Sequence, residues 1–437
     1  MKNQTINIIQ QEEANDFVGI KIKKDKIELF IPKALRITKD SKSFAQDVLQ
    51  FLMSLSLATL DDEYINQSSG LVGEEWPIDS YLWIIRDFLE NGYYYNREKK
   101  YYHDNKGKID WKKTLKNTPI YSKDNLIYDK FVTTRMSASN DIIAEIYKLC
   151  LNIAVKRIGW IFNYNFFVEA RQYKSFKEMS YLIHKEYNNT FDDLKRQRFT
   201  NMIRILENCK NENALSNYST YGIRNYYYVF ERMIDKFFHG IPANQVKSFN
   251  PVGYYKLNGY EEKQASELRP DTIVLKGGNA YIIDAKMYKF GYTKSINDLP
   301  KTTSIQKQIT YGDYALKVLK KNNPDSKVFN SFIIPFDSKL EIFDEFKNDD
   351  NIKTTDFIYI GKAYTNWRKG TRSHESIHVF LIDFYYLLKN YRNYEVTFIN
   401  ELTTAIDNEI KEKNKFDSKN DENQQDSINS TDETQRS

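Results

Sequence analysis

The chain has 437 residues, 41% hydrophobic and 28% charged, with a formal net charge of +5. That length suits two to four domains with real cores, and the balance is that of a soluble globular protein rather than a disordered or fibrous one. Its two cysteines, Cys150 and Cys209, have no Cys or His neighbours at ligand spacing, which argues against a disulfide framework or structural zinc and fits a reducing cytoplasm.

Met1 to Asp16 is polar and acidic, without a signal core, and no apolar run approaches the ~18 residues of a membrane span. Val18, Ile20 and Ile22 alternate with polar residues, as do Ile27, Leu29 and Ile31, which predicts a hairpin around Lys23 to Lys26. Phe44, Val48, Phe51, Leu52 and Leu55 follow helical spacing, and a second helix over Tyr81 to Leu89 closes at Asn91-Gly92. Residues 1–120 therefore read as a mixed α/β module.

The next region, 121–218, reads as mainly helical. Asn140 suits the N-cap of a helix carrying Ile143, Ile146, Tyr147, Cys150, Leu151 and Ala154. Further helices are expected over Lys174 to Glu186 and Phe191 to Glu207. No internal repeat is present.

From about Ser219 helices and strands alternate. The pattern predicts helices over Arg224 to His239 and Ser304 to Lys320, then Phe384 to Tyr391 and Val396 to Lys411. Strands are expected at Gly253 to Lys256, Thr272 to Leu275, Ala280 to Asp284, Val328 to Pro335, Phe357 to Ile360 and Ile377 to Ile382. This is an α/β unit on one mixed sheet, spanning 219–411. The polar tail 412–437 lacks the apolar content to fold and is expected to be disordered.

Chemistry concentrates in one hairpin of this unit. Thr272 to Lys276 and Ala280 to Ile283 flank Gly277-Gly278-Asn279, and glycine supplies the positive φ of a tight turn. Counting outwards from a turn centred between the glycines sets Asp271 opposite Asp284. Directly opposed residues hold their Cβ atoms about 4.5–5.5 Å apart, so the two carboxylates can share a hard cation. Lys286, two residues on, projects to the same face. Mg²⁺ held by Asp271, Asp284 and the Ala285 carbonyl would polarise a phosphate and acidify a bound water. Lys286 would orient that water and offset developing charge.

Asp-x-Lys also recurs at Asp40/Lys42, Asp104/Lys106, Asp325/Lys327, Asp337/Lys339 and Asp417/Lys419. What separates Asp284/Lys286 is its place at the end of the apolar strand Tyr281-Ile282-Ile283, whose partner begins at Pro270-Asp271. Glu231, on the preceding helix, either reaches the metal from the other side or pairs at the surface with Arg232. Gln308, one turn from Tyr311 on the following helix, is positioned to contact Lys286 or a phosphate, while Tyr311 reads as core. Lys289, Tyr292, Lys294, Lys301 and Lys307 suit DNA-backbone contact or form a solvated loop. Five histidines are scattered, and the nearest pair, His374 and His378, reads as structural.

In this order the helix with Glu231, Asp271, Asp284-Ala285-Lys286 and the helix with Gln308 resemble the core of PD-(D/E)xK nucleases. Ile283-Asp284-Ala285-Lys286-Met287-Tyr288-Lys289 is similar to the nuclease motif of McrC-type restriction subunits. Gly107-Lys108-Ile109-Asp110-Trp111-Lys112-Lys113-Thr114 is similar to a second segment of those proteins. Gln308-Ile309-Thr310-Tyr311 and Phe332-Ile333-Ile334-Pro335 fall in the same order. Within that group the chain most resembles the LlaJI-type restriction endonucleases, over roughly residues 105–390. The family carries Glu or Gln at the Glu231 position.

The resemblance implies a Mg²⁺-dependent endonuclease subunit that cuts double-stranded DNA. It also implies an AAA+ GTPase partner of the McrB kind, docked by the 1–120 module. The chain has no phosphate-binding loop of its own, since Gly361-Lys362 is followed by Ala363. Two other readings stay open: a self-sufficient site-specific type II endonuclease, and a non-enzymatic DNA-binding or adaptor protein on a nuclease-like fold.

Overall fold

The computed structural model describes residues 5–13, 16–23, 26–59, 71–73, 76–94, 97–122, 125–138, 142–164, 166–170, 175–209, 218–347, 355–368, 372–393 and 399–411. They gather into two compact units, one from residues 5–21, 26–72 and 222 onwards, the other mainly from 73–221. The expected tail 412–437 and the Asn140 cap lie outside the described residues.

In the first of these units, β1 (Thr5–Gln11) pairs in parallel with β3 (Lys26–Pro32), and β2 (Val18–Lys23), most of which belongs to it, neighbours β3. The hairpin of β2 and β3 follows from its alternation. β1 was not anticipated, because Asn7 and Gln10 interrupt its isoleucines. Helix α1 (Phe44–Leu55) buries Val48, Phe51, Leu52 and Leu55. Its polar flank is completed by residues far along the chain: Asp47, 2% exposed, accepts from the Tyr385 hydroxyl at 3.0 Å and pairs with Lys389 at 3.1 Å. Ser54 lies 3.0 Å from the Tyr226 hydroxyl. These partners explain why residues 5–21 and 26–72 cluster with the C-terminal part, whereas the sequence reading groups them with residues up to 120.

The other unit contains α2 (Ile78–Asn91), ended by Gly92 at φ +72°. Strands β4 (Arg97–His103), β5 (Lys108–Ile109) and β6 (Val132–Ala138) form a sheet in the order β4-β6-β5. The sequence missed β4 and β6, whose charged and small residues show no clean apolar alternation. Within Gly107 to Thr114, Asp110 caps a single helical turn by accepting from the Lys113 N–H at 3.1 Å. Helices α3 (Ile142–Ile158), α4 (Phe176–Asn189) and α5 (Asp193–Asn208) follow, with Ser175 and Glu178 forming a capping box on α4. Arg198 grips Asp87 with two bonds of 2.7 Å, and Tyr147 donates to the same carboxylate at 2.9 Å. Cys150 and Cys209 are buried free thiols.

The C-terminal part of the first unit holds the sheet that matters for function. Helix α6 (Tyr227–Phe238) leads to a short ribbon of β7 (Tyr254–Tyr255) and β8 (Lys263–Gln264). Then come β9 (Thr272–Lys276), β10 (Asn279–Ala285), α7 (Thr302–Leu319), β11 (Val328–Phe336), β12 (Phe357–Ala363), β13 (Ile377–Asp383) and α8 (Phe384–Asn390). The sheet order is β9-β10-β11-β13-β12, antiparallel at both edges and parallel at its centre. The mixed α/β architecture expected from the alternating pattern is the one observed. Residues 399–411 are helical. Helix α7 packs on one face, where Ile273, Ile282, Tyr311 and Ala315 share a core with Val246 and Phe249. Among the described residues no helix is long and apolar enough to cross a membrane.

Candidate active site

Gly277 and Gly278 sit at φ +59° and +79°, the two positive values that a two-residue hairpin turn needs. The turn fixes the register Lys276↔Asn279 through Thr272↔Ile283. One step further the same register sets Asp271 against Asp284. There the ladder ends, and the Asp271 carboxylate accepts from the Ala285 N–H at 3.0 Å. β10 lies between β9 and β11, so Asp284 at its end is only 4% exposed. The Lys286 N–H donates to the Ile333 carbonyl at 2.8 Å, extending the strand. Its ammonium turns back to Asp284 at 2.6 Å. The Asp-x-Lys spacing thus puts both groups on one face.

Glu231 stands on the flank of α6, beside the apolar face of Val229, Phe230, Met233, Ile234, Phe237 and Phe238. Burial drives its pKa up to about 7, with Lys286 pulling it down and Asp284 pushing it up. Burial also raises Asp271 well above the usual carboxylate range, reinforced by the negative charges of Asp284 and Glu231. Two like charges about 4 Å apart near a protein surface repel by about 4 kcal/mol. Facing a single ammonium, Asp271 and Glu231 therefore hold their protons more tightly than ordinary carboxyls unless another cation joins them. For Lys286, burial disfavours the charged form, but Asp284, Asp271 and Glu231 outweigh it and the pKa rises. Lys286 is a fixed cation here, not a base.

The oxygen-only donors and the surplus negative charge fit a hard divalent ion. The ligand set is not closed: among the described residues no three acidic, histidine or cysteine side chains are drawn together as a ready metal cage. Asp284 spends one oxygen on Lys286 instead.

Gln308 differs from expectation. Its side chain does not reach Lys286; it is 1% exposed and donates to the Ile282 carbonyl at 2.9 Å, bracing the strand two residues before Asp284. Tyr311 is buried as expected, and its hydroxyl donates to the Arg269 carbonyl at 2.8 Å, steadying the chain just before Pro270-Asp271. Burial and the nearby carboxylates raise its pKa. Asn330, which the sequence reading passed over, lies beside Ile282 in register and donates to the Gln308 carbonyl at 3.0 Å. An asparagine inside the apolar run Val328-Phe329-Asn330-Ser331-Phe332 was the available signal. Of the expected basic set, Lys289 pairs with Glu13 and Lys294 with Glu345.

A family model described as LlaJI restriction endonuclease matches residues 17–366. A Bacillus subtilis (strain 168) protein described as type II restriction enzyme BsuMI component YdjA is 26% identical over 294 residues. The match covers 62% of this chain and 61% of that relative's length. A structure of Thermococcus gammatolerans McrB AAA+ hexamers with bound McrC aligns over 86% of this chain and 81% of that one, at 12% identity and a TM-score of 0.37. A second, of the McrBC complex from the same organism, aligns over 48% of this chain and 62% of that one, at 9% identity and a TM-score of 0.22. Both superpositions are too loose to place a residue.

Proposed function

The chain belongs to the LlaJI restriction endonuclease family, and from that premise we propose that it is a metal-dependent subunit that hydrolyses phosphodiester bonds in double-stranded DNA. The observation that carries this reading is the meeting of Asp271, Asp284 and Lys286 at the end of an interior strand, with Glu231 on the flanking helix. In this reading the sheet from β9 to β12 is the PD-(D/E)xK nuclease core.

Magnesium is the ion this donor set suits, and it would supply Lewis-acid polarisation of a phosphate oxygen and an acidified water. Asp271 and Asp284 would hold it, with the Ala285 carbonyl and Glu231 completing the protein's share. Lys286, held protonated by three carboxylates, stabilises negative charge on the phosphate and orients the attacking water. Glu231, which burial makes hard to ionise on its own, would give up its proton as the cation arrives. Gln308 and Tyr311 touch no reacting atom in this role; they fix the two strands whose ends carry the aspartates.

The partner proposal rests on the sequence resemblance and on the absence of a phosphate-binding loop from the chain. A McrB-like AAA+ GTPase would supply nucleotide hydrolysis, docked by N-terminal residues of this chain. The description of the Bacillus relative as a component fits a multi-subunit enzyme. The test is plasmid cleavage by the protein with Mg²⁺, with and without GTP and such a partner. Asp284→Asn and Lys286→Ala are each expected to lose at least a hundredfold in rate while remaining folded by circular dichroism. Undiminished cleavage by both variants would sink the site assignment. Cleavage with Mg²⁺ alone would favour the self-sufficient endonuclease. Absence of metal binding by calorimetry would favour the non-enzymatic reading.

A further inference from the structure

The basic residues around the hairpin are not equivalent. Lys286 is spent on Asp284, Lys289 on Glu13 and Lys294 on Glu345. Lys307, exposed on α7, pairs with no acid among the described residues. Its ammonium lies 5.6 Å from the centre of the Tyr311 ring, one turn along the helix. A ring face attracts an ammonium through its quadrupole and leaves the positive charge intact. Lys307 is thus held in place without being neutralised.

This lysine stands at the carboxylates' end of the sheet. β10 and β11 are parallel, so α7, which joins them, runs back along the sheet and begins near the end of β10 that carries Asp284. Gln308, the next residue on the helix, donates to the Ile282 carbonyl, two residues before Asp284. Tyr311 donates to the Arg269 carbonyl, two residues before Asp271. The Tyr311 hydroxyl senses the charges of Asp271, Asp284 and Glu231, and Lys307 in turn pulls the Glu231 pKa down. Helix direction, ring contact and field all set Lys307 beside the carboxylates.

We propose that Lys307 binds the DNA phosphate at the Asp271–Asp284 site, as a second cation beside Lys286. The inference rests on the nuclease reading and deepens it. Once ionised, the three carboxylates Asp271, Asp284 and Glu231 are just balanced by Lys286 and one divalent ion. A phosphodiester brings a further negative charge, and its oxygens carry the charge of the transition state. Lys286 is already committed to Asp284. Lys307 is placed to meet the added charge. Lysine serves phosphate as a point charge, and its flexible four-carbon stem lets the ammonium leave the ring for a stronger partner.

The test compares Lys307→Met, Lys307→Arg and wild type as full chains. Methionine keeps an unbranched stem against the Tyr311 ring and removes the charge. Binding is read by fluorescence anisotropy of a labelled duplex of about 30 base pairs in EDTA, across a salt series. Cutting is read as a single-turnover rate with Mg²⁺, under the conditions in which wild type cuts. Lys307→Met should reduce the slope of log affinity against log salt by about 0.9. It should slow cutting about tenfold, less than the loss of a buried donor because Lys307 is exposed. Lys307→Arg should restore both, and all variants should keep the wild-type thermal midpoint. Lys317→Met, exposed about 15 Å further along α7, should match wild type in both assays. If Lys307→Met cuts as fast as wild type and keeps its slope, Lys307 does not hold the phosphate and the nuclease reading survives. If it cuts slowly with an unchanged slope and a lowered midpoint, Lys307 only supports Tyr311, and the proposal falls in that case too. If wild type neither binds nor cuts any duplex, both readings fall.

Discussion

Glu231→Gln offers the sharpest test of the electrostatics at the carboxylate cluster. Burial lifts Glu231 from an ordinary 4.5 to about 7. Each pH unit between those values corresponds to about 1.4 kcal/mol, giving about 3 kcal/mol, or 2–3 after allowance for partial solvent exposure. The sign follows from the direction. The folded state holds this proton more tightly than the unfolded chain. That contribution is complete below about pH 4.5 and is lost as pH rises through 7. Glutamine keeps the shape and cannot ionise. In metal-free urea titrations, the variant should match wild type near pH 5 and exceed it near pH 8 by about 2 kcal/mol. Removing one negative charge also eases Asp271, whose pKa is raised partly by Glu231, which adds to the difference in the same direction. Equal stability at pH 8, or a less stable variant, would refute a buried, proton-holding Glu231.

Other outcomes follow from single contacts. Asp87→Ala leaves Arg198 buried without its partner and should lower stability by about 3–5 kcal/mol, read as a shifted denaturation midpoint. Tyr311→Phe removes the bond to the Arg269 carbonyl; it should cost about 1 kcal/mol of stability and slow cleavage more than it weakens DNA binding. Gly277→Val places a β-branched residue at φ +59° and should destabilise the hairpin by about 1–3 kcal/mol, measured by thermal unfolding. Magnesium at millimolar concentration should raise the thermal midpoint of wild type and leave that of Asp284→Asn nearly unchanged.

Much of the candidate site could be read in the sequence because it is local. The Gly277-Gly278 turn fixes the register by counting, and that register brings Asp271 and Asp284 to the same end of the hairpin. The spacing of Lys286 from Asp284 fixes their common face. Sheet order and the layering of α7 were less accessible, because parallel pairing of β10 with β11 joins residues about fifty positions apart. Gln308 shows the limit most clearly. Its helix and approximate depth were visible, yet whether its amide faces a lysine or a carbonyl depends on how α7 rolls on the sheet. Likewise Asp47, in a helix near the N-terminus, gave no sign that its partners would be Tyr385 and Lys389.

The buried polar chain behind the site explains an otherwise costly arrangement. Asn330, Gln308 and Tyr311 each add only about 1 kcal/mol net through these bonds, although removing one would leave a buried carbonyl unpaired. Each instead fixes a backbone carbonyl near a functional residue: Gln308 at Ile282, Tyr311 at Arg269, Asn330 at both Gln308 and His374. Such bonds do little for the depth of the folded well and much for its width. A misplacement of about 1 Å can cost a reaction about a hundredfold in rate.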